Sequence, residues 1–250
     1  MRIRSIVWIA LFSILISAGG YYLYYLTEVE RLARINPKTT ALIEARQAVK
    51  QKKAVALNSG WCPLHRISSH LQRAVVVAED ARFYHHHGFD WEAMVEAAKR
   101  DWAARSFQFG GSTITQQLVK NLYLSPEKSP FRKIKEALIT SAMEAKLRKA
   151  RILEVYLNVV EWGDGIYGAE AASDYYFSKH AADLTPQEAS FLAAILRAPR
   201  YYQHHRSTLF LRKRIEFILQ AMQRRFPEMG MAVQKEIPIE EPVESTESDE

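Results

Sequence analysis

Cysteine is nearly absent from this chain. Cys62 is the single one in 250 residues, so no internal disulfide can form, and the count says little about compartment. No stretch alternates polar and apolar residues, which argues against strands, and no internal repeat is visible. No nucleic-acid-binding motif occurs. Acidic residues are outnumbered, 28 against 34 lysines and arginines, for a net charge of +6. The acids that exist are unevenly placed. Residues 236–250 hold seven of them and no base, leaving about +13 over residues 1–235. A basic body points to an anionic partner: nucleic acid, a phosphate-bearing substrate or an anionic membrane surface. The length allows one large domain or two small ones with ample core.

Arg2 and Arg4 precede an uncharged run from Ser5 to Thr27 whose apolar part, Ile6 to Leu26, is long enough to span a membrane. Tyr21, Tyr22, Tyr24 and Tyr25 cluster at its far end, where aromatic residues favour the interface. The flanking arginines predict a cytoplasmic N-terminus with the rest outside. The competing reading is a signal peptide cut near Ser17-Ala18-Gly19; the apolar run continues past those small residues, which disfavours it. Residues 1–27 are thus expected to form a cytoplasmic stub and anchor, 28–60 a charged helical connector broken weakly at Pro37, 61–235 the main domain, and 236–250 a disordered acidic tail.

Within 61–235 the patterns are helical. Leu71, Ala74, Val75, Val77, Ala78 and Ala81 recur at three and four, predicting a buried helical face with Ser69 as N-cap and Gly88 as stop. Val76, Glu79 and Phe83 would share one face, so Glu79 would look out of an apolar stripe. A carboxylate there loses hydration, binds its proton more tightly and can exchange it near neutrality. Asp90 caps a helix from Trp91 to about Ala104, and Ser112 caps the helix carrying Thr115, Gln116, Gln117 and Lys120. Helices follow from Arg132 to about Leu147, Lys149 to Asn158, and Ala169 to Phe177. A Gly-rich turn, Trp162–Gly168, has room for a short hairpin. Thr185-Pro186-Gln187-Glu188 starts a helix running to about Arg197, and Ser207–Phe226 reads as a last amphipathic basic helix.

Two stretches carry chemistry at fixed spacing. Glu79-Asp80-Ala81-Arg82-Phe83-Tyr84-His85-His86-His87-Gly88 and Gly110-Gly111-Ser112-Thr113-Ile114-Thr115-Gln116-Gln117 together resemble two signatures of the family-51 glycosyltransferases, the peptidoglycan polymerases. The resemblance continues through Lys120-Asn121, Arg132-Lys133-Ile134-Lys135-Glu136 and the helix from Lys149 to Asn158, and spans residues 37 to about 199. Its monofunctional members are the nearest in pattern. Ser125-Pro126-Glu127-Lys128 matches the Ser-x-x-Lys of penicillin-binding enzymes, but no Lys-Thr-Gly accompanies it and the 250 residues leave no room for a transpeptidase domain. One departure stands out: the family's Pro-x-Pro after the Ala193–Leu196 helix is here Arg197-Ala198-Pro199.

The resemblance implies an all-α, lysozyme-like fold with two lobes about a cleft, behind a transmembrane helix. It implies lipid II and the growing lipid-linked glycan as substrates and the inner membrane as location, with cell-wall assembly proteins as further candidate partners and no nucleic acid. Glu79 would be the catalytic base and Glu136 the second carboxylate. Asp80, Phe83, Thr113, Gln117, Lys120, Arg132 and Lys133 would bind substrate. Chemical logic agrees: a hydroxyl nucleophile needs a proton acceptor, and a pyrophosphate leaving group needs cations. An α-linked donor yields a β-1,4 bond by one inversion, so no covalent intermediate is needed; the resemblance implies no required cofactor. A divalent cation, magnesium or manganese, near Glu136 stays open.

The remaining residues have plainer readings. His85, His86 and His87 diverge along the chain, and His86 reads as a structural hydrogen-bonder. A lysozyme-like hydrolase or lytic transglycosylase would share Glu79 but has no use for a pyrophosphate cluster. A non-catalytic scaffold would not need the carboxylates and cations that are all present here.

Overall fold

In the computed structural model the described residues are 2–50, 60–105, 111–125 and 130–227. The acidic tail, the aromatic loop before Gly111 and most of the Ser-x-x-Lys segment lie outside them. The domain is all-α apart from one hairpin. Helices α1 (Arg2–Leu32) and α2 (Ala41–Lys50) precede α3 (Ser69–Glu79), α4 (Trp91–Ala104), α5 (Ile114–Tyr123), α6 (Pro130–Lys146) and α7 (Lys149–Val159). Strands β1 (Glu161–Gly163) and β2 (Ile166–Tyr167) pair antiparallel, followed by α8 (Ala169–Phe177), α9 (Pro186–Ile195), α10 (Pro199–Tyr202) and α11 (Leu209–Arg225).

The core is built around two helices buried on nearly every side. All residues of α9 from Ala189 to Ile195 are buried, as are those of α7 from Ile152 to Val159 apart from Glu154. A helix apolar all round belongs inside a fold. α3 and α11 pack on α9, while α5 packs on α7 and α6. The α9 start is the predicted one: Thr185 and Glu188 form a capping box and Pro186 takes the first turn. Asp90 caps α4 through the Ala93 amide, also as expected.

Two caps differ from the sequence reading by one residue. Ser68, not Ser69, caps α3, and Thr113, not Ser112, caps α5. In both cases the chosen hydroxyl also donates to a remote carbonyl. Ser68 Oγ reaches Leu184 O at 2.9 Å and Thr113 Oγ1 reaches Gly88 O at 2.7 Å. Burial of those carbonyls requires a partner, and that decides between adjacent polar residues.

α3 also ends earlier than predicted. It stops at Glu79, and Asp80 leaves helical geometry with φ −159°. A one-turn 3₁₀ segment, Phe83–His85, follows. Val76 is buried, Val77 and Ala78 are at the edge, and Ala81 is exposed. Phe83 therefore does not share a helical face with Glu79. It is fully buried, with Lys149 Nζ 4.5 Å above its ring.

α1 continues without a break past residue 27 to Leu32. Residues 6–32 are long and apolar enough to cross a membrane. The reason for the extension is docking: Val29 and Leu32 are buried against the domain, and Arg151 Nε donates to Leu32 O at 2.7 Å. Lys135 Nζ lies 5.7 Å from the Tyr21 ring centre, and Lys146 pairs with Glu30 at 2.9 Å. α6 and α1 thus run side by side in the same direction.

Gly168 joins the hairpin to α8 at φ +86°, and a Cβ there would stand 2.7 Å from Asn158 O. Gly168→Ala meets both a left-handed backbone and a backbone clash. It is expected to cost roughly 1–3 kcal/mol or more, read as a lower urea midpoint at unchanged slope.

Candidate active site

The site grows from the junction of α3 and α5. As the chain leaves α3, Asp80 turns inward, and its Oδ2 accepts the Ile114 amide at 3.0 Å. That amide belongs to the first turn of α5, where a carboxylate is favoured by the unpaired amides and the helix dipole. His86 Nε2 lies 2.9 Å from Asp80 Oδ1, and His86 Nδ1 accepts the Gly88 amide at 3.2 Å. The Gly88 bond leaves the proton on Nε2, so the imidazole donates to Asp80. Thr113 returns to Gly88 O and closes the frame. Burial raises Asp80 above its ordinary carboxylate range, while His86 and the Ile114 amide pull it back.

Glu79, the last residue of α3, projects from this frame. Its side chain is 13% exposed. Gln117 Nε2 donates to Oε2 at 2.9 Å, and Arg214 Nη2 of α11 donates to Oε1 at 3.2 Å. Tyr156 of α7, itself fully buried, donates its hydroxyl to Gln117 Oε1 at 2.9 Å. That bond orients the amide so that its NH₂ faces Glu79. Desolvation raises Glu79 above the usual carboxylate range; Gln117, Arg214, Lys120 and Arg197 oppose the shift. The result is a carboxylate that holds its proton more readily than one in water, yet is faced by donors that favour the ionised form.

One turn beyond Gln117 on α5, Lys120 stands in the electrostatic reach of both Glu79 and Glu136. Desolvation lowers Lys120 from its ordinary value, as do Arg132 and Lys133, while Glu136 and Glu79 raise it. Glu136 on α6 is buried and accepts from Lys133 and, at 3.5 Å, from Arg132. Arg132 Nε is buried with no hydrogen-bond partner among the described residues.

A cleft of about 280 Å³ opens beside Glu79, bordered by Arg82, Glu92, Gly111 and Thr113. Gly111 is small for a reason: a Cβ would lie 3.1 Å from the Met94 backbone. Of the residues expected at the site, Glu79, Asp80 and Thr113 line this cleft; Gln117 contacts Glu79, and Lys133 and Arg132 gather on Glu136. Asp80 and Thr113 are spent on the supporting frame, and Phe83 is in the core.

Among the described residues, Glu136 is one carboxylate facing two cations, Lys133 and Arg132, a poor setting for a divalent ion. Asp80, His86 and Asp90 bring potential ligand atoms within 4.8 Å of one another. Each is already engaged, however, Asp90 by Arg82 and by the Ala93 amide.

Arg214 was not singled out by its sequence context. A signal existed: it lies on the stripe of Leu211, Ile215 and Ile218, which are buried. A charge on an apolar face needs a partner.

A lysozyme-like helical domain with a desolvated glutamate and a cationic cluster in its electrostatic reach fits a class of glycan-transferring enzymes. A family model described as Transglycosylase matches residues 46–223. The chain is 51% identical over 185 residues to a biosynthetic peptidoglycan transglycosylase of Aromatoleum aromaticum (strain DSM 19018 / LMG 30748 / EbN1), covering 73% of this chain and 80% of that one. It is 46% identical over 190 residues to the one of Dechloromonas aromatica (strain RCB), covering 75% and 82%. With that of Methylobacillus flagellatus (strain ATCC 51484 / DSM 6875 / VKM B-1610 / KT) it shares 39% over 218 residues, or 86% and 95%. The chain belongs to the peptidoglycan transglycosylase family and is an enzyme of that class.

Removing the frame's carboxylate should be felt in stability. Asp80→Ala leaves the buried Ile114 amide unpaired and is expected to cost roughly 1–3 kcal/mol, measured by urea unfolding of the folded domain.

Proposed function

We propose that this enzyme polymerises lipid II into β-1,4 glycan strands, with the growing lipid-linked glycan as donor and undecaprenyl pyrophosphate as leaving group. The observation that supports this reading is a desolvated carboxylate, Glu79, with Lys120 in electrostatic reach of it and of the Arg132–Lys133–Glu136 cluster. Glu79 takes the proton of the acceptor 4-hydroxyl as that oxygen attacks the donor C1. The C1–oxygen bond to pyrophosphate breaks on the opposite face, so the configuration inverts once. Lys120, Arg132 and Lys133 neutralise the departing phosphates. Glu136 holds Arg132 and Lys133 in place.

The membrane relation of the site supports a lipid-borne substrate. α1 is the anchor, with its N-terminus cytoplasmic and the domain on the outer side of the inner membrane. Because α6 runs alongside α1 from Tyr21 onward, the first turn of α6 points back toward the apolar part of α1. Phe131 and Ile134 are exposed there, 71% and 59%. Arg132, Lys133 and Glu136 then sit near the level of Tyr21, at the headgroup boundary where a lipid pyrophosphate would lie.

A hydrolase would use Glu79 as an acid. Gln117 and Arg214 both offer hydrogens to the carboxylate, an arrangement that suits a base better than an acid.

Glu79→Gln keeps the shape and removes the proton acceptor. Lipid II polymerisation is expected to fall roughly 10²–10⁴-fold while lipid II binding persists. Lys120→Ala and Arg132→Ala are expected to weaken both donor binding and turnover. A Glu79→Gln enzyme that polymerises at the parent rate ends the assignment. Glycan cleavage by the parent with no polymer formed moves the function to hydrolysis.

A further inference from the structure

We infer that Arg214, on the last helix, is a positioning residue for this reaction: its guanidinium crosses to the end of α3 and fixes the orientation and charge of Glu79. The inference rests on the assignment of Glu79 as base. Arg214 Nη2 donates to Glu79 Oε1 at 3.2 Å and lies 3.5 Å from Ala78 O, at the C-terminal turn of α3. One donor thus serves both the helix end and its terminal carboxylate. Arg214 is 20% exposed and Glu79 13%, so their attraction is weakly screened.

The helix itself sets this reach. Leu211, Ile215 and Ile218 are buried, and α11 packs on α3 and α9. Arg214 falls on that stripe, three residues after Leu211 and four before Ile218, so its stem is carried into the interface. A desolvated guanidinium there is costly unless an anion meets it. Glu79 is the anion in contact with it.

With Gln117 on Oε2 and Arg214 on Oε1, the carboxylate cannot rotate freely. A carboxylate accepts about four hydrogen bonds, so each oxygen keeps capacity for the acceptor hydroxyl. The charged and titratable groups facing Glu79 are Arg214 from α11, Lys120 from α5, Arg197 beyond the end of α9, and Tyr156 from α7 behind Gln117. Asp80 is its neighbour on its own strand of chain. Among the cations, Arg214 opposes protonation of Glu79 most, ahead of Lys120 and Arg197. Removing it makes Glu79 easier to protonate, and the base is then lost at a higher pH.

The test is the pH profile of kcat/KM for lipid II polymerisation by the full-length protein. Arg214→Gln removes the charge, Arg214→Met removes it while keeping the stem's packing, and Arg214→Lys keeps a cation. The neutral variants are expected to move the acid limb up by about one pH unit or more. The lysine variant is expected to leave it near the parent position. Thermal melting selects the variants that fold. A uniform loss of rate with the acid limb in place, in whichever neutral variant folds, overturns the inference. Glu79→Gln measured alongside separates the two claims. If that variant is inactive and the limb does not move, only the role of Arg214 fails. If it retains the parent rate, the base assignment fails with it.

Discussion

One buried carboxylate ties the site together. Asp80 leaves α3, accepts the first amide of α5 and accepts a hydrogen bond from His86 Nε2. That bond ties the end of α3 directly to the start of α5. Glu79 is the residue before Asp80, and Gln117 is on the turn after Ile114. Their 2.9 Å contact follows from the Asp80 link. Gly88 closes the loop around His86 at φ +89°, where a Cβ would stand 2.8 Å from Thr140. The frame is buried and polar, so each member depends on its neighbour being present.

On that frame the proton affinity of Glu79 is balanced between opposing effects. Desolvation raises it, and donors from three directions lower it. Burial alone would leave a protonated acid, and a solvated glutamate would be too weak a base. The balance places proton exchange between those limits. Around Glu136 the electrostatics serve a different end. Lys120, Arg132 and Lys133 outnumber Glu136, and Arg132 Nε has no hydrogen-bond partner among the described residues. A net positive pocket suits an anionic leaving group.

Much of this was legible because its determinants are local. Asp90, Thr185 with Glu188, and the Trp162–Gly168 turn announce a helix start, a capping box and a hairpin within a few residues of each other. The spacing of Arg132 and Glu136 predicts their ion pair. The misreadings came from contacts across the fold. Ser68 and Thr113 were chosen as caps by carbonyls at Leu184 and Gly88. α3 ends at Glu79 because Asp80 is drawn to Ile114, and that end sends Phe83 into the core. α1 extends to Leu32 because the domain receives Val29 and Leu32. Arg214 escaped notice because its partner, Glu79, lies in a distant part of the chain, although its place on an apolar stripe marked it.

The central claim is that Glu79 is a desolvated carboxylate kept ionised for base catalysis. It is tested most directly by titrating the Glu79 side chain in the folded protein. Carboxyl ¹³C chemical shifts would be followed against pH, with the resonance assigned by its loss in Glu79→Gln. The account predicts a single titration above the ordinary glutamate value of 4.5, with the group ionised at neutral pH. A carboxyl still protonated at neutral pH, or one titrating at or below the ordinary value, would contradict it.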